Sequence, residues 1–179
     1  DFYPLMGNLV DERILVITGP RRAGKTTIMY QMIDELLSAK QIEPRRVLFV
    51  SFDYPYLLAN LDRPFEDILR AYTETILKES LENLTERVYI FLDEVYSLPE
   101  WGKVMKGHFD RKTRTKVIVS GSSSPDIIAE AARSLVGRID RHLMLQMKFV
   151  DVVCHDLNKD RDRIKEASLG LMRKGFEAF

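Results

Sequence analysis

The stretch ILVITGPRRAGKTT, residues 14–27, decides how the rest of the chain is read. Its first five residues lean apolar, Ile14, Leu15, Val16, Ile17 and Thr18, and predict a buried strand. The turn after them runs Gly19, Pro20, Arg21, Arg22, Ala23, Gly24, Lys25, Thr26, Thr27. Gly19, Gly24, Lys25 and Thr26 satisfy G-x-x-x-x-G-K-[ST], the spacing of a phosphate-binding loop. In such a loop glycines permit backbone conformations and close approaches that a side chain blocks. The backbone N–H groups turn inward around the phosphates. Lys25 adds a full charge for the outer phosphates, the Thr26 hydroxyl suits Mg²⁺, and the Thr27 hydroxyl can reach the inner phosphate. Ile28, Met29, Met32, Ile33, Leu36 and Leu37 follow at helical spacing, so a helix should run to about residue 39 and lend its N-terminal dipole to the anion.

Working outward, residues 46–52 (RVLFVSF) predict a second buried strand ending at Asp53. Residues 54–64 are expected to be a loop, and Phe65, Ile68, Leu69, Tyr72, Ile76 and Leu77 then predict a helix to about Asn83. The apolar run VYIFL, residues 88–92, predicts a third strand that ends in Asp93 and Glu94. A short helix is expected over residues 99–109, a basic loop over 111–116, and a fourth strand from Val117 to Ser120 and Gly121. Ser124 and Pro125 start a further expected helix, and residues 141–150 a fifth strand. Residues 156–174 are charge-rich and weakly helical. Alternating strands and helices imply an α/β fold of three layers with a mostly parallel five-stranded sheet. Ligands then sit at the carboxyl ends of the strands, where Gly19, Asp53, Asp93 and Ser120 all fall.

Asp93 and Glu94 complete the chemistry. A carboxylate at a strand end can hold Mg²⁺ and its neighbour can deprotonate an attacking water. A whole strand and helix separate the loop strand from the Asp93 strand, which places the fourth strand between them in space. This is the layout of the additional-strand class of P-loop ATPases. Ser120 is then a candidate sensor near the terminal phosphate; Ser122 to Ser124 are better placed as helix caps. Guanine specificity is disfavoured: Asp93 is followed by Glu94, Val95 and Tyr96 rather than by x-x-G, and Asn158-Lys159 lacks an Asp at the fourth position. ATP is the expected nucleotide.

Composition sets the remaining bounds. The chain has 179 residues, 27 basic and 27 acidic, so no net charge advertises nucleic acid. A single cysteine, Cys154, excludes an internal disulfide and fits a reducing cytoplasm. No apolar run approaches the roughly 20 residues of a membrane span, and no signal peptide is evident. Arg111, Lys112, Arg114 and Lys116 form the one local basic cluster with a claim on a phosphate backbone. Leu135, Val136, Gly137 and Arg138 form a helix end at which Gly137 suits a left-handed cap. Arg138 is thereby a candidate finger for the terminal phosphate, in its own chain or a neighbour's, with Arg133 and Arg141 as rivals and a helix-end pairing with Asp140 as the plainer role.

Taken together, ITGPRRAGKTT, VSFDYP, FLDEV..LPEW, VIVSGSSS and SLVGR resemble the AAA-type ATPases of the STAND-related archaeal-ATPase group, over residues 14–150. The resemblance implies an ATPase core followed by a C-terminal domain outside this chain. The first functional expectation is an ATP-hydrolysing switch or motor with ATP and Mg²⁺ as cofactors and Glu94 and Lys25 in catalysis; the alternatives are a nucleotide-sensing regulatory or DNA-interaction module with little turnover, and a small-molecule kinase. Self-association is a partner expectation, as is DNA reached through that further domain. Two positions depart from the family pattern: Tyr54 replaces a second acidic residue, and KFVDVV replaces an S-F-R-E-F-like segment. Residues 1–150 are thus expected to be the ATPase domain and 151–179 a helical extension, in a chain that begins at Asp1 and looks like a piece of something longer.

Overall fold

The computed structural model describes residues 7, 9–122 and 133–146. Strands β1 (Ile14–Gly19), β2 (Val47–Ser51), β3 (Val88–Asp93), β4 (Thr115–Ser122) and β5 (Ile139–Leu143) form one sheet in the order β2-β3-β4-β1-β5. Every pairing is parallel, with Val16 opposite Val119 and Phe91 opposite Ile118. β4 does separate β1 from β3, as the spacing predicts.

The central strands are buried on both faces because β1 and β3 are apolar at nearly every position, not at alternate ones, whereas edge strand β5 (IDRHL) is mostly polar and part-exposed. β1 and β3 are buried throughout their length. Alternation still divides their side chains between the two faces. Ile14, Val16, Ile90, Leu92, Val117 and Val119 point to one cluster, with Phe65, Leu69, Trp101 and Met105. Leu15, Ile17, Phe91 and Ile118 point to the other, with Met29, Met32 and Leu36. Helix α1 (Lys25–Ser38) covers the second face; α3 (Pro64–Tyr72) and α4 (Trp101–Asp110) cover the first. Each such buried side chain contributes about 1.5–3 kcal/mol, so the sheet is a rigid platform for what its strand ends carry.

Three expectations need correction. The loop expected at 54–64 contains a short helix, α2 (Pro55–Asn60), with Pro55 supplying the fixed φ of a first helical position. The helix expected to reach Asn83 stops at Tyr72, widens into a π turn (Thr73–Leu77) and ends at Lys78, whose φ of 57° is left-handed. A 3-10 turn (Leu81–Asn83) follows separately. The fifth strand starts two residues earlier than expected, at Ile139, and stops at Leu143. The chain divides into two compact units, Asp1–Met144 and Leu145–Phe179. Met144 still belongs to the first because its N–H donates to Thr18 O at 2.7 Å. The helix expected from Ser124 lies largely outside the described residues, as do the charge-rich end, Cys154, Asn158 and KFVDVV.

Candidate functional site

Two strands deliver the site. β1 ends at Gly19 and turns into α1 through a loop whose two motif glycines are required for different reasons. Gly19 has no room for a side chain: a Cβ there would lie 2.3 Å from the carbonyl oxygen of Met144. Gly24 has a φ of 90°, a left-handed value that other residues adopt only with strain, and starts α1. No side chain caps that helix N-terminus, which leaves its first amides for an anion. Lys25 is 5% exposed, and its Nζ donates to the carbonyls of Gly19 and Pro20, both at 3.1 Å. Ala23 closes the turn by donating to Pro20 O.

β3 ends at Asp93, buried at 4% exposure. Its two carboxylate oxygens are both engaged. Oδ2 accepts from the Thr26 hydroxyl at 2.8 Å and Oδ1 from the Ser120 hydroxyl. The backbone N–H of Glu94 donates to Ser120 Oγ at 3.2 Å. Two parallel strands and a helix start are thereby tied into one hydrogen-bonded chain, Thr26 to Asp93 to Ser120 to Glu94. Glu94 itself is left-handed, with φ at 52°, a conformation that costs free energy in a residue with a Cβ.

A cavity of about 500 Å³ opens above this chain. Arg21, Arg22, Gly24, Lys25, Thr26 and Thr27 line one side; Asp53, Glu94 and Tyr96 line the other. Thr26, in the lining, and Asp93, buried directly behind it with Oδ2 on the Thr26 hydroxyl, are hard oxygen donors that fit Mg²⁺. Among the described residues no group of three or more His, Cys, Asp or Glu could hold a metal alone. Mg²⁺ at this place would therefore complete its shell with phosphate oxygens and water, its usual habit.

Two expected site residues sit elsewhere. Ser120 is fully buried behind Asp93 and does not line the cavity, so its hydroxyl orients the two acids and does not face a phosphate. Arg138 lies at the opposite end of the sheet. Its carbonyl accepts from Ile14 N, at the start of β1, roughly 17 Å along the strand from the phosphate loop. Its side chain donates to Asp110 Oδ1 at 2.9 Å and rests over the Phe109 ring, so it cannot act on its own chain's cavity. The cap itself is as expected, with Gly137 at φ 73°. The basic cluster loses one of its four members, while Arg111, Lys112 and Arg114 stay exposed. Lys116 is 1% exposed inside β4, donating to the carbonyls of Asp11 and Arg13, and Arg114 donates to Thr85 O.

One cavity residue escaped the sequence reading. Tyr96 stands in the 3-10 turn after Glu94 (Val95–Ser97) and lines the cavity with Glu94 and Arg21. Burial, then the neighbouring Glu94, push its phenol above the ordinary value. Only its nearness to Glu94 in sequence hinted at this, because Arg21 reaches the cavity from the phosphate loop.

Comparison with known proteins agrees with this geometry. The AAA domain family profile matches residues 11–153. An uncharacterized protein of Methanocaldococcus jannaschii is 27% identical over 141 residues, which is 79% of this chain and 28% of that protein. The fold matches S. cerevisiae Hsp104, in an extended-conformation complex with casein, with a TM-score of 0.54 at 15% identity, over 82% of this chain and 26% of Hsp104. The chain thus spans little more than a quarter of either relative. A family match over most of the chain, on a sheet whose loop and acids meet at one cavity, places it in the AAA domain family as a P-loop nucleotide-binding, ATPase-like core.

Proposed function

We propose that this domain binds Mg·ATP and hydrolyses it, serving as the ATPase core of a switch or motor. The hydrogen-bonded chain from Thr26 through Asp93 and Ser120 to Glu94 is the observation that carries the reading. It joins a phosphate-binding helix start to a pair of acids at the neighbouring strand end. The loop amides and Lys25 bind the phosphates, with Lys25 exchanging its two carbonyl partners for phosphate oxygens. Thr26 and Asp93 are the residues that would hold Mg²⁺, which when bound supplies charge for the developing negative phosphate oxygens. Glu94 orients the attacking water and takes its proton.

Arg138 enters this reading only through a neighbouring copy, since its own cavity is at the far end of the sheet. The deciding experiment is turnover and ATP affinity of Glu94→Gln. The substitution keeps size and removes the base, so turnover should fall roughly 10²–10⁴-fold while Mg·ATP still binds. Parent-like turnover by this variant would overturn the hydrolytic assignment.

A further inference from the structure

The phosphate loop contains a tight turn. Ala23 N donates to Pro20 O at 3.3 Å, which makes Arg22 the third residue of a four-residue turn. Its φ is 63°, a left-handed value. Turns with a positive φ at the third position select Gly or Asn, because a Cβ there is strained. Arg22 thus carries a long side chain where the backbone favours none. The fold gains nothing visible in return: Arg22 is exposed and, among the described residues, its guanidinium makes no hydrogen bond or ion pair. It lines the cavity instead, on the loop beside Lys25, with Asp53 and Glu94 at the strand ends. Lys25 Nζ rests on two loop carbonyls, and Arg138 is paired with Asp110 at the other end of the sheet. A third phosphate extends the anion from the amides that start α1 toward the two carboxylates, which repel it. A guanidinium on this loop offsets that repulsion, and its planar fork matches phosphate oxygens.

We propose that Arg22 determines specificity for the terminal phosphate: its guanidinium contacts that group and makes the cavity prefer a nucleoside triphosphate to a diphosphate. The inference rests on the nucleotide-binding part of the function proposed above and holds whether or not ATP is hydrolysed. It also gives the left-handed backbone at Arg22 a use, since the strain is offset by the ligand and not by the fold.

The test is a calorimetric titration of the parent, Arg22→Gly and Arg22→Asn with two probes, beside denaturant unfolding of each protein. The probes are Mg·ADP and the Mg complex of the β,γ-imido analogue of ATP, which keeps three phosphates and resists hydrolysis. Gly and Asn both tolerate the left-handed φ, so each variant should unfold at the parent's denaturant midpoint or above it. Affinity for the triphosphate analogue should fall roughly 10- to 100-fold, the scale of a charged hydrogen bond, while affinity for Mg·ADP stays within about threefold. Unchanged affinity for the triphosphate analogue overturns this inference alone. So does an equal loss for both nucleotides, which puts the guanidinium on the inner phosphates, or a midpoint below the parent's in both variants, which makes Arg22 a residue of the fold. A parent that binds neither nucleotide overturns the nucleotide-binding reading and this inference with it.

Discussion

Lys25 and Lys116 are both buried lysines in the same sheet-and-helix core, at 5% and 1% exposure, and both donate to two backbone carbonyls. Their surroundings assign them opposite tasks. Lys25 stands at the carboxyl end of the sheet, facing a cavity, and its partners at 3.1 Å belong to the same loop. Lys116 stands at the amino end, and its bonds of 2.9 and 2.6 Å hold the lead-in at Asp11 and Arg13 against β4. The first can trade its partners for phosphate; the second has no comparable exchange to make. The amino end is clamped, with Arg87 on the carbonyls of Leu9 and Val10, Arg46 among Glu79 and Glu86, and Arg138 on Asp110. The carboxyl end opens on the cavity, where the Glu94 carboxylate keeps an oxygen unpartnered. Left-handed residues and buried unpartnered atoms occur at both ends, Lys78, Gly137 and Glu79 Oε2 among them at the amino end, so the open cavity is what separates the two.

The largest effect should come from Asp93→Asn, which removes the charge between Thr26 and Ser120. Turnover should fall by roughly 10³-fold, measured as phosphate release at saturating ATP, since a lost metal ligand costs several kcal/mol of transition-state stabilisation. A variant at the other end should do the reverse. Lys116→Met should lower the unfolding free energy by about 1–2 kcal/mol in denaturant titrations, through the carbonyls it leaves unpaired, with ATP affinity unchanged. Arg138→Ala removes a half-exposed ion pair with Asp110 and should cost at most about 1 kcal/mol of stability. Its turnover in dilute solution should match the parent. A defect that develops only as parent turnover per chain rises with concentration would place Arg138 at a neighbour's cavity.

A further expected effect is a pH dependence of stability. Burial, chiefly, lowers Lys116 from 10.5 to about 8. Between those values the unfolded chain keeps a proton that the folded chain has released, so raising the pH through this window favours the folded state. The stability difference between the parent and Lys116→Met should therefore climb from about pH 8 to pH 10 and stay flat near neutrality. A flat difference over that range would show the lysine to be charged throughout.

Much of the carboxyl end was legible in the chain. The phosphate loop is a local motif, and its position before a helix and after an apolar strand is local as well. Even the strand order followed from the length between Gly24 and Asp93. What stayed hidden depends on approach through space. Ser120 looks like a strand-end sensor until Asp93 is seen to occupy its hydroxyl. Arg111, Lys112, Arg114 and Lys116 look like a basic surface until strand pairing turns Lys116 inward. Arg138 shows a genuine left-handed cap next to it, yet the parallel sheet puts that cap at the wrong end for its own nucleotide. The helix that breaks at Lys78 kept its apolar period past Leu77, so periodicity alone could not stop it.

The most direct test sets the two lysines against each other in a calorimetric Mg·ATP titration of Lys25→Met and Lys116→Met, at a temperature where circular dichroism finds both folded. Lys25→Met removes a charged donor from the phosphates and should bind roughly 100-fold or more weakly, while Lys116→Met binds as the parent does. Parent-like affinity in Lys25→Met, or an equal loss in both, would contradict the assignment of nucleotide binding to the carboxyl end of the sheet.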